Sequence, residues 1–265
     1  MKQKKLLYKI LLALVVLLIL LFLASPMLAV VGASFSNTKY FQFPPESFSL
    51  RWYKEAFRNK EHIRSLMNSL KIAGCTMLVA DVICIPACFA LTRCGRGVSK
   101  KASALFSAPL FLPGIALGVG LMLWLAKLGW RGNFWTLVLA HVVLATPYYM
   151  RVVGASLSEF DFGLVDAAHS LGAPPVKAFF YVTLPQIAPG IIVASMFGFM
   201  ISFSELVITL FICASNMTTF PVRVYSSMVT EGLNPMVLAY STIIIVVVLV
   251  VSVLAEKFAH WTRYF

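Results

Sequence analysis

Three ionisable side chains stand inside otherwise apolar runs: Asp81 in LVADVICIP, His141 in LAHVVLATP and Glu205 in SFSELVITL. A carboxylate or imidazole kept from water needs a partner, which can be a cation, a hydroxyl or a backbone group. Two kinds of chemistry follow. A carboxylate on a route through the protein would stabilise a cation in transit, whereas one packed between helices would accept interhelical hydrogen bonds and hold a bundle together. Glu205, with Ser204 before it, is the leading pathway candidate. Asp81 either faces the same cavity or pairs with His141, and the structural role is favoured. His141 alone reads as a satisfied buried histidine.

Other chemistry finds little support. His62, His141, His169 and His260 lie far apart in different elements. Cys75, Cys84, Cys88, Cys94 and Cys213 fall inside or at the ends of apolar runs. Cys84 and Cys88 are one helical turn apart, but no His or acidic residue is spaced to complete a metal site, so they read as small hydrophobes. The sequence holds no G-x(4)-G-K-[ST], G-x-G-x-x-G, H-E-x-x-H or nucleophile elbow. The expectation is therefore no catalytic set, no metal and no cofactor bound by this chain. Pro109, Pro113 and Gly114 in APLFLPGIALGVG break a helical ladder. Irregular backbone within an apolar span is tolerated only against protein or a water-filled cavity, which makes Pro113 and Gly114 pathway candidates. Gly114 and Gly118 also form a GxxxG pair, so close helix packing explains them equally well.

The elements that must position these residues are set by composition. The chain has 265 residues, 60% of them hydrophobic and 12% charged, with a mean hydropathy of +0.88. A soluble domain of this length could not bury that much apolar surface, so the reading is one all-α membrane domain over residues 1–265, with the lipid bilayer as solvent. Apolar runs at about 10–31, 66–92, 102–126, 134–156, 186–213 and 236–257 predict six transmembrane helices with both termini on one side. The run after MKQKK is longer than a signal-peptide core and is read as a retained crossing. The net charge of +12 raises the question of nucleic acid, but the basic residues cluster between apolar runs, where lipid headgroups account for them. No nucleic-acid partner is expected.

Lys2, Lys4, Lys5 and Lys9, then Arg93, Arg96, Lys100 and Lys101, with Arg151, Lys177, Lys257 and Arg263, collect on one side. By the positive-inside rule both termini are cytoplasmic. Lys39, Arg51, Lys54, Arg58, Lys60 and Arg64 oppose that assignment from the first outer loop. They lie among Glu46, Glu55 and Glu61, mostly in RWYKEAFRNKEHIRSL, which reads as an amphipathic surface helix. The connector after the fourth span, residues 157–185, is then cytoplasmic.

Residues 166–185 of that connector read DAAHSLGAPPVKAFFYVTLP. DAAHSL is a helix, with Asp166 near its start, where the macrodipole favours negative charge. Gly172 suits the left-handed residue that ends a helix, and Pro175 the first turn of a second helix, VKAFFYVTL, which Pro185 stops. Val176, Phe179, Phe180 and Val182 are too apolar for a fully solvated loop. Something covers them.

These residues resemble the cytoplasmic loop of permease subunits in binding-protein-dependent ABC importers, with the pattern E-A-A-x(3)-G-x(9)-I-x-L-P. Asp166, Ala167, Ala168, Gly172, Val182, Leu184 and Pro185 match its spacing, with Asp for Glu at 166 and Val for Ile at 182. Pro174–Pro175 replaces the more usual polar cap. SFSLRWYKEAF with NSLKIA, AHVVLATPYYMRVV and GFMISFSELVITLF extend the likeness over nearly the whole chain, most closely to the second permease of spermidine/putrescine (polyamine) importers. The resemblance implies a coupling helix between helices 4 and 5, seated in a groove of a cytoplasmic ATPase, with Asp166, Ala167, Ala168, Gly172, Val176, Lys177, Phe180, Leu184 and Pro185 as the coupling set. It also implies a second permease subunit, different from this one, two ATPase subunits that bind ATP and Mg, an extracytoplasmic binding protein, and a bacterial inner-membrane location. In the polyamine-like permeases an acidic pair, S-F-x-[DE]-E, lies on the pathway helix; here Ser204 replaces its first acid. Polyamine leads the implied substrates, followed by other small organic or phosphonate solutes and iron(III). The rival classes are an ion-driven secondary transporter, an intramembrane enzyme and a structural anchor. None of them accounts for the 166–185 loop and Glu205 together.

Overall fold

A computed structural model describes residues 2–38, 42–130, 132–232 and 235–259. Lys39, His260 and Arg263 lie outside them. In chain order the helices are α1 (Lys2–Ser34), α2 (Arg51–Arg58), α3 (Lys60–Arg93), α4 (Arg96–Ser107), α5 (Gly114–Lys127), α6 (Phe134–Glu159), α7 (Gly163–Ser170), α8 (Pro175–Ala178), α9 (Leu184–Ser204), α10 (Val207–Ile212), α11 (Phe220–Glu231) and α12 (Pro235–Ala259). Described residues fall into two compact units, one within 1–60 and 224–251, the other within 61–223 and 252–265.

In the first unit, α1 is apolar on every face, and none of its most apolar stretch is covered by protein. Such a helix needs lipid around it. Tyr8–Ser34 is 27 residues long, about 40 Å at 1.5 Å per residue, which exceeds a hydrocarbon core of about 30 Å. The amphipathic stretch is split in two by Asn59. α2 buries Trp52 and Ala56 and exposes Arg51, Lys54 and Arg58, while residues 60–66 form the first turns of α3. Ser34 Oγ and Tyr53 OH share a hydrogen bond of 2.7 Å, and Tyr240 OH of α12 donates to the Ala56 carbonyl.

The second unit is built around α6. Asn133 caps it, its side chain accepting from the Thr136 N–H at 2.9 Å, which satisfies one of the free donors at a helix start. Leu137, Val138, Val152, Val153 and Leu157 of α6 are buried with Ile72 of α3, Ile187 and Val193 of α9, and Ile208 of α10. α6 packs extensively against α9. Near the N-terminal end of α3, Ser69 Oγ accepts from the Phe220 N–H at 2.8 Å, and Glu61 pairs with Arg223 at 3.1 Å.

The six expected spans each fall on a helix or a helix pair, with three corrections. Four segments are long and apolar enough to cross a bilayer: Tyr8–Ser34, Lys60–Arg93, Phe134–Glu159 and Pro175–Ser204. The third expected span, 102–126, is two helices bent by 107° around a 3-10 turn at Ala108–Phe111 and an extended Leu112, because Pro113 removes a donor and biases Leu112 away from helix. The fifth, 186–213, is interrupted too. α9 ends at Ser204, Glu205 is extended, and α10 resumes at Val207. Glu205 therefore lies at a break, not within a helix. Finally, Pro185 does not end the loop's second helix, which runs on into α9 as one 30-residue segment, Pro175–Ser204. In the last expected span, α12, the apolar stretch is Pro235–Val250.

Candidate functional site

The 166–185 connector forms the helix–bend–helix that its residues predict. Asp161 Oδ1 accepts from the Gly163 N–H at 2.9 Å to start α7. Gly172 has φ +84°. Its N–H donates to the His169 carbonyl at 2.9 Å, and the Ala173 N–H donates to the Ala168 carbonyl at 3.0 Å, the pair of bonds that closes a Schellman cap. No side chain crowds this glycine, so what it supplies is the left-handed backbone alone. Pro175 then begins α8, and a π turn over Phe179–Thr183 leads into α9. Its wider hydrogen bond, from the Leu184 N–H to the Phe179 carbonyl, falls just before Pro185, whose ring would clash with a regular helical carbonyl four residues earlier.

The loop has an inner and an outer side. Val165, Ala178 and Thr183 are buried, and Ala168 and Val182 pack partly against the core. Asp166, Ala167, Lys177 and Pro185 are exposed and Leu184 is half-buried. Leu171 is 89% exposed, Val176 67%, Phe180 55% and Tyr181 80%, an apolar surface facing away from the chain's own core.

Aromatic rings fasten this loop to the membrane helices. Phe179 meets Phe89 of α3 edge-on, with centroids 5.1 Å apart, and the Arg93 guanidinium lies 4.7 Å from the Phe162 ring, within cation–π range. Phe160 and Phe162 stack edge-to-face at 5.1 Å. The C-terminal end of α3, with its basic residue, thus shares one end of the unit with the loop.

The three ionisable residues in apolar runs separate into two places. Asp81 Oδ1 accepts from Tyr149 OH at 2.7 Å and from Ser195 Oγ at 2.6 Å, tying α3 to α6 and α9. It does not pair with His141. His141 is fully buried, with Nδ1 2.7 Å from Ser202 Oγ and Nε2 2.9 Å from Thr209 Oγ1. Glu205 is half-buried at the α9–α10 break, and its Oε1 accepts from the Ile208 N–H at 2.8 Å. Ser204 Oγ donates back to the Met200 carbonyl at 2.8 Å.

Gly114 and Gly118 both face α10. A Cβ on Gly114 would lie 3.5 Å from Val207 Cγ1, and one on Gly118 only 2.9 Å from Phe211 Cδ2. Close packing thus places the α5 start, with Pro113, beside the residues that follow Glu205. Asp81 lies elsewhere, at the level of Ser195, ten residues before Glu205 and about 15 Å along α9.

The model of the family described as binding-protein-dependent transport system inner membrane component matches residues 84–264, which include His141, the loop and Glu205. The chain belongs to this family. The putrescine transport system permease protein PotI of Escherichia coli (strain K12) is 36% identical over 242 residues, spanning 88% of this chain and 85% of its own length. The spermidine/putrescine transport system permease protein PotC of Haemophilus influenzae is 28% identical, spanning 89% and 91%. In fold, the chain superposes on a bacterial ABC transporter that imports the acidic polysaccharide alginate, with a TM-score of 0.75 over 95% of this chain and 96% of that one at 14% identity. It also superposes on the MetNI methionine ABC transporter, with a TM-score of 0.59 over 75% and 94% at 19% identity. The chain is a multi-pass permease subunit of an ABC importer.

Two features of this permease escaped the reading of its sequence. The Phe89–Phe179–Phe162–Arg93 cluster joins residues up to 90 positions apart, and nothing local marks it. Gly198 lets α9 approach α6, since a Cβ there would come within 2.7 Å of Tyr149 Cε2. The signal available was Tyr149 itself, a polar ring in an apolar span that needs a partner such as Asp81.

Proposed function

We propose that this permease carries a small organic cation, with a polyamine such as putrescine first among them, inward across a bacterial inner membrane, driven by cytoplasmic ATPase subunits that dock on the 166–185 loop. The observation that carries the reading is the apolar outer side of that loop joined to a continuous helix. Leu171, Val176, Phe180 and Tyr181 are exposed where water alone would be an unfavourable neighbour, and the segment from Pro175 runs unbroken to Ser204, beside Glu205. Movement imposed on the loop would reach the break directly. Asp166, Ala167, Ala168, Gly172 and Lys177 shape the docking surface, while Leu184 and Pro185 join it to α9.

The membrane-spanning part has six crossings with both termini in the cytoplasm, counting the bent α4–α5 pair and α12 as one each. A second, different permease subunit completes the pathway, and a binding protein delivers the solute from outside. ATP and Mg are bound by the ATPase subunits and not by this chain, whose sequence holds no phosphate-binding loop of the G-x(4)-G-K-[ST] kind. Within the pathway, Glu205 offers its second carboxylate oxygen to the cation, with Ser204, Pro113 and Gly114 nearby. Asp81 takes the structural role, since two hydroxyls already occupy one of its oxygens. The relatives that transport putrescine and spermidine/putrescine support an amine as cargo.

The test is uptake of radiolabelled putrescine into cells that depend on this transporter. Wild type is expected to accumulate it in an ATP-dependent way, and Glu205→Gln to do so with a clearly raised KM and an unchanged ATPase rate. Equal uptake by the two would remove Glu205 from the pathway.

A further inference from the structure

The α9–α10 break is spanned by one side chain from another helix. His141 of α6 reaches Ser202, three residues before Glu205, through Nδ1 at 2.7 Å, and Thr209, four residues after it, through Nε2 at 2.9 Å. Thr209 Oγ1 in turn donates to the Glu205 carbonyl at 3.2 Å, and Ser202 Oγ lies 3.3 Å from Thr76 Oγ1 on α3. Ser202 Oγ donates to Thr76 Oγ1, so in the neutral ring Nδ1–H donates to Ser202 Oγ, and Nε2 accepts from Thr209, whose hydroxyl proton lies between Nε2 and the Glu205 carbonyl.

Packing on α5 and the buried Ile208 and Ile212 hold the body of α10, but the break itself has few backbone bonds. Glu205 is extended, its N–H reaches the Ser202 carbonyl only at 3.4 Å, and α10 is a single helix of six residues. A helix of six residues has little stability of its own in water and depends on its neighbours. The carboxylate of Glu205 is aimed by its bond to the Ile208 N–H, which is only as well placed as α10.

We infer that His141 is the positioning residue for Glu205, a clamp that pins both sides of the break so that the carboxylate keeps one position relative to the ends of α9 and α10. The importance of that position rests on the proposed pathway role of Glu205. The clamp itself rests on the hydrogen bonds alone. Asn at 141 can reproduce the Nδ1 contact to Ser202 but not the Nε2 contact to Thr209, and Gln the reverse, so the two ends can be cut separately.

The experiment uses the assembled transporter in lipid nanodiscs, with His141→Asn, His141→Gln, Thr209→Val, Ser202→Ala and Glu205→Gln. It combines hydrogen–deuterium exchange with putrescine uptake kinetics in proteoliposomes. Loss of one buried hydrogen bond corresponds to about a tenfold change in local opening. The clamp predicts that His141→Asn and Thr209→Val raise amide exchange about that much within 205–212, and leave α6 and the rest of α9 protected. It also predicts a raised KM for putrescine with kcat nearly unchanged, and His141→Gln closer to wild type. Unchanged exchange at 205–212 would overturn the clamp. So would faster exchange throughout α6 and α9 with reduced assembly, which would make His141 a core-filling residue only. If Glu205→Gln keeps the wild-type KM, the pathway reading of Glu205 fails, and the exchange data alone decide the clamp.

Discussion

At the scale of single residues, the polar groups of the apolar helices divide by partner. Asp81 accepts from two hydroxyls on two other helices, whereas Glu205 commits one oxygen to a backbone N–H. The first arrangement holds a bundle, and the second ties a half-buried carboxylate to the backbone just past a break. Gly198→Ala drives a methyl group into the Tyr149 ring and should destabilise the subunit by about 1–3 kcal/mol, the usual range for overpacking a core. Thermal unfolding of the purified protein in detergent checks this, and Gly74→Ala in α3, where a Cβ meets nothing, serves as the control that gains helix propensity without a clash. Tyr149→Phe should cost about 1–3 kcal/mol by the same assay, since it removes a donor from a carboxylate at membrane depth. The need of each ionisable residue for a partner was legible in the sequence, but the partner's identity was not. The sequence leaves Asp81 between the cavity and a pairing with His141, and the structure gives each of the two a different pair of hydroxyls.

At the scale of elements, hydropathy located the spans well because lipid imposes a long, simple apolar signal. Gly172 and Pro175 were equally legible, since a left-handed residue and a first-turn proline are local requirements. What remained hidden is how helices respond to proline inside a packed unit. Pro113 was recognised as an interruption but not as a bend of 107°. Pro185 looked like a stop, yet a π turn absorbs it. The break at Glu205 carries neither Pro nor Gly and gave no warning. Gly172→Asp should remove transport while the subunit stays folded and membrane-inserted, because a side chain at φ +84° costs about 1–2 kcal/mol locally and lies outside the core. Uptake measured beside detergent size-exclusion profiles separates those two effects. Arg93→Ala should loosen the loop from α3, which limited proteolysis of residues 160–175 would detect as faster cleavage.

At the scale of the whole molecule, one continuous segment, Pro175–Ser204, joins the proposed docking loop to the break that precedes Glu205. On the proposed reading, docking at one end and the clamped break at the other would give ATP-driven movement a direct mechanical route to Glu205. The assembly proposed around this chain rests on the loop, the family match and the exposed residues taken together, not on composition. The most direct test places a photo-crosslinking amino acid at Val176 in the native membrane and identifies what it captures. The account predicts a single cytoplasmic ATPase subunit, captured by the wild-type loop and lost in a Phe180→Asp background. Capture of lipid alone, with solute uptake persisting in liposomes that lack ATP, would contradict it.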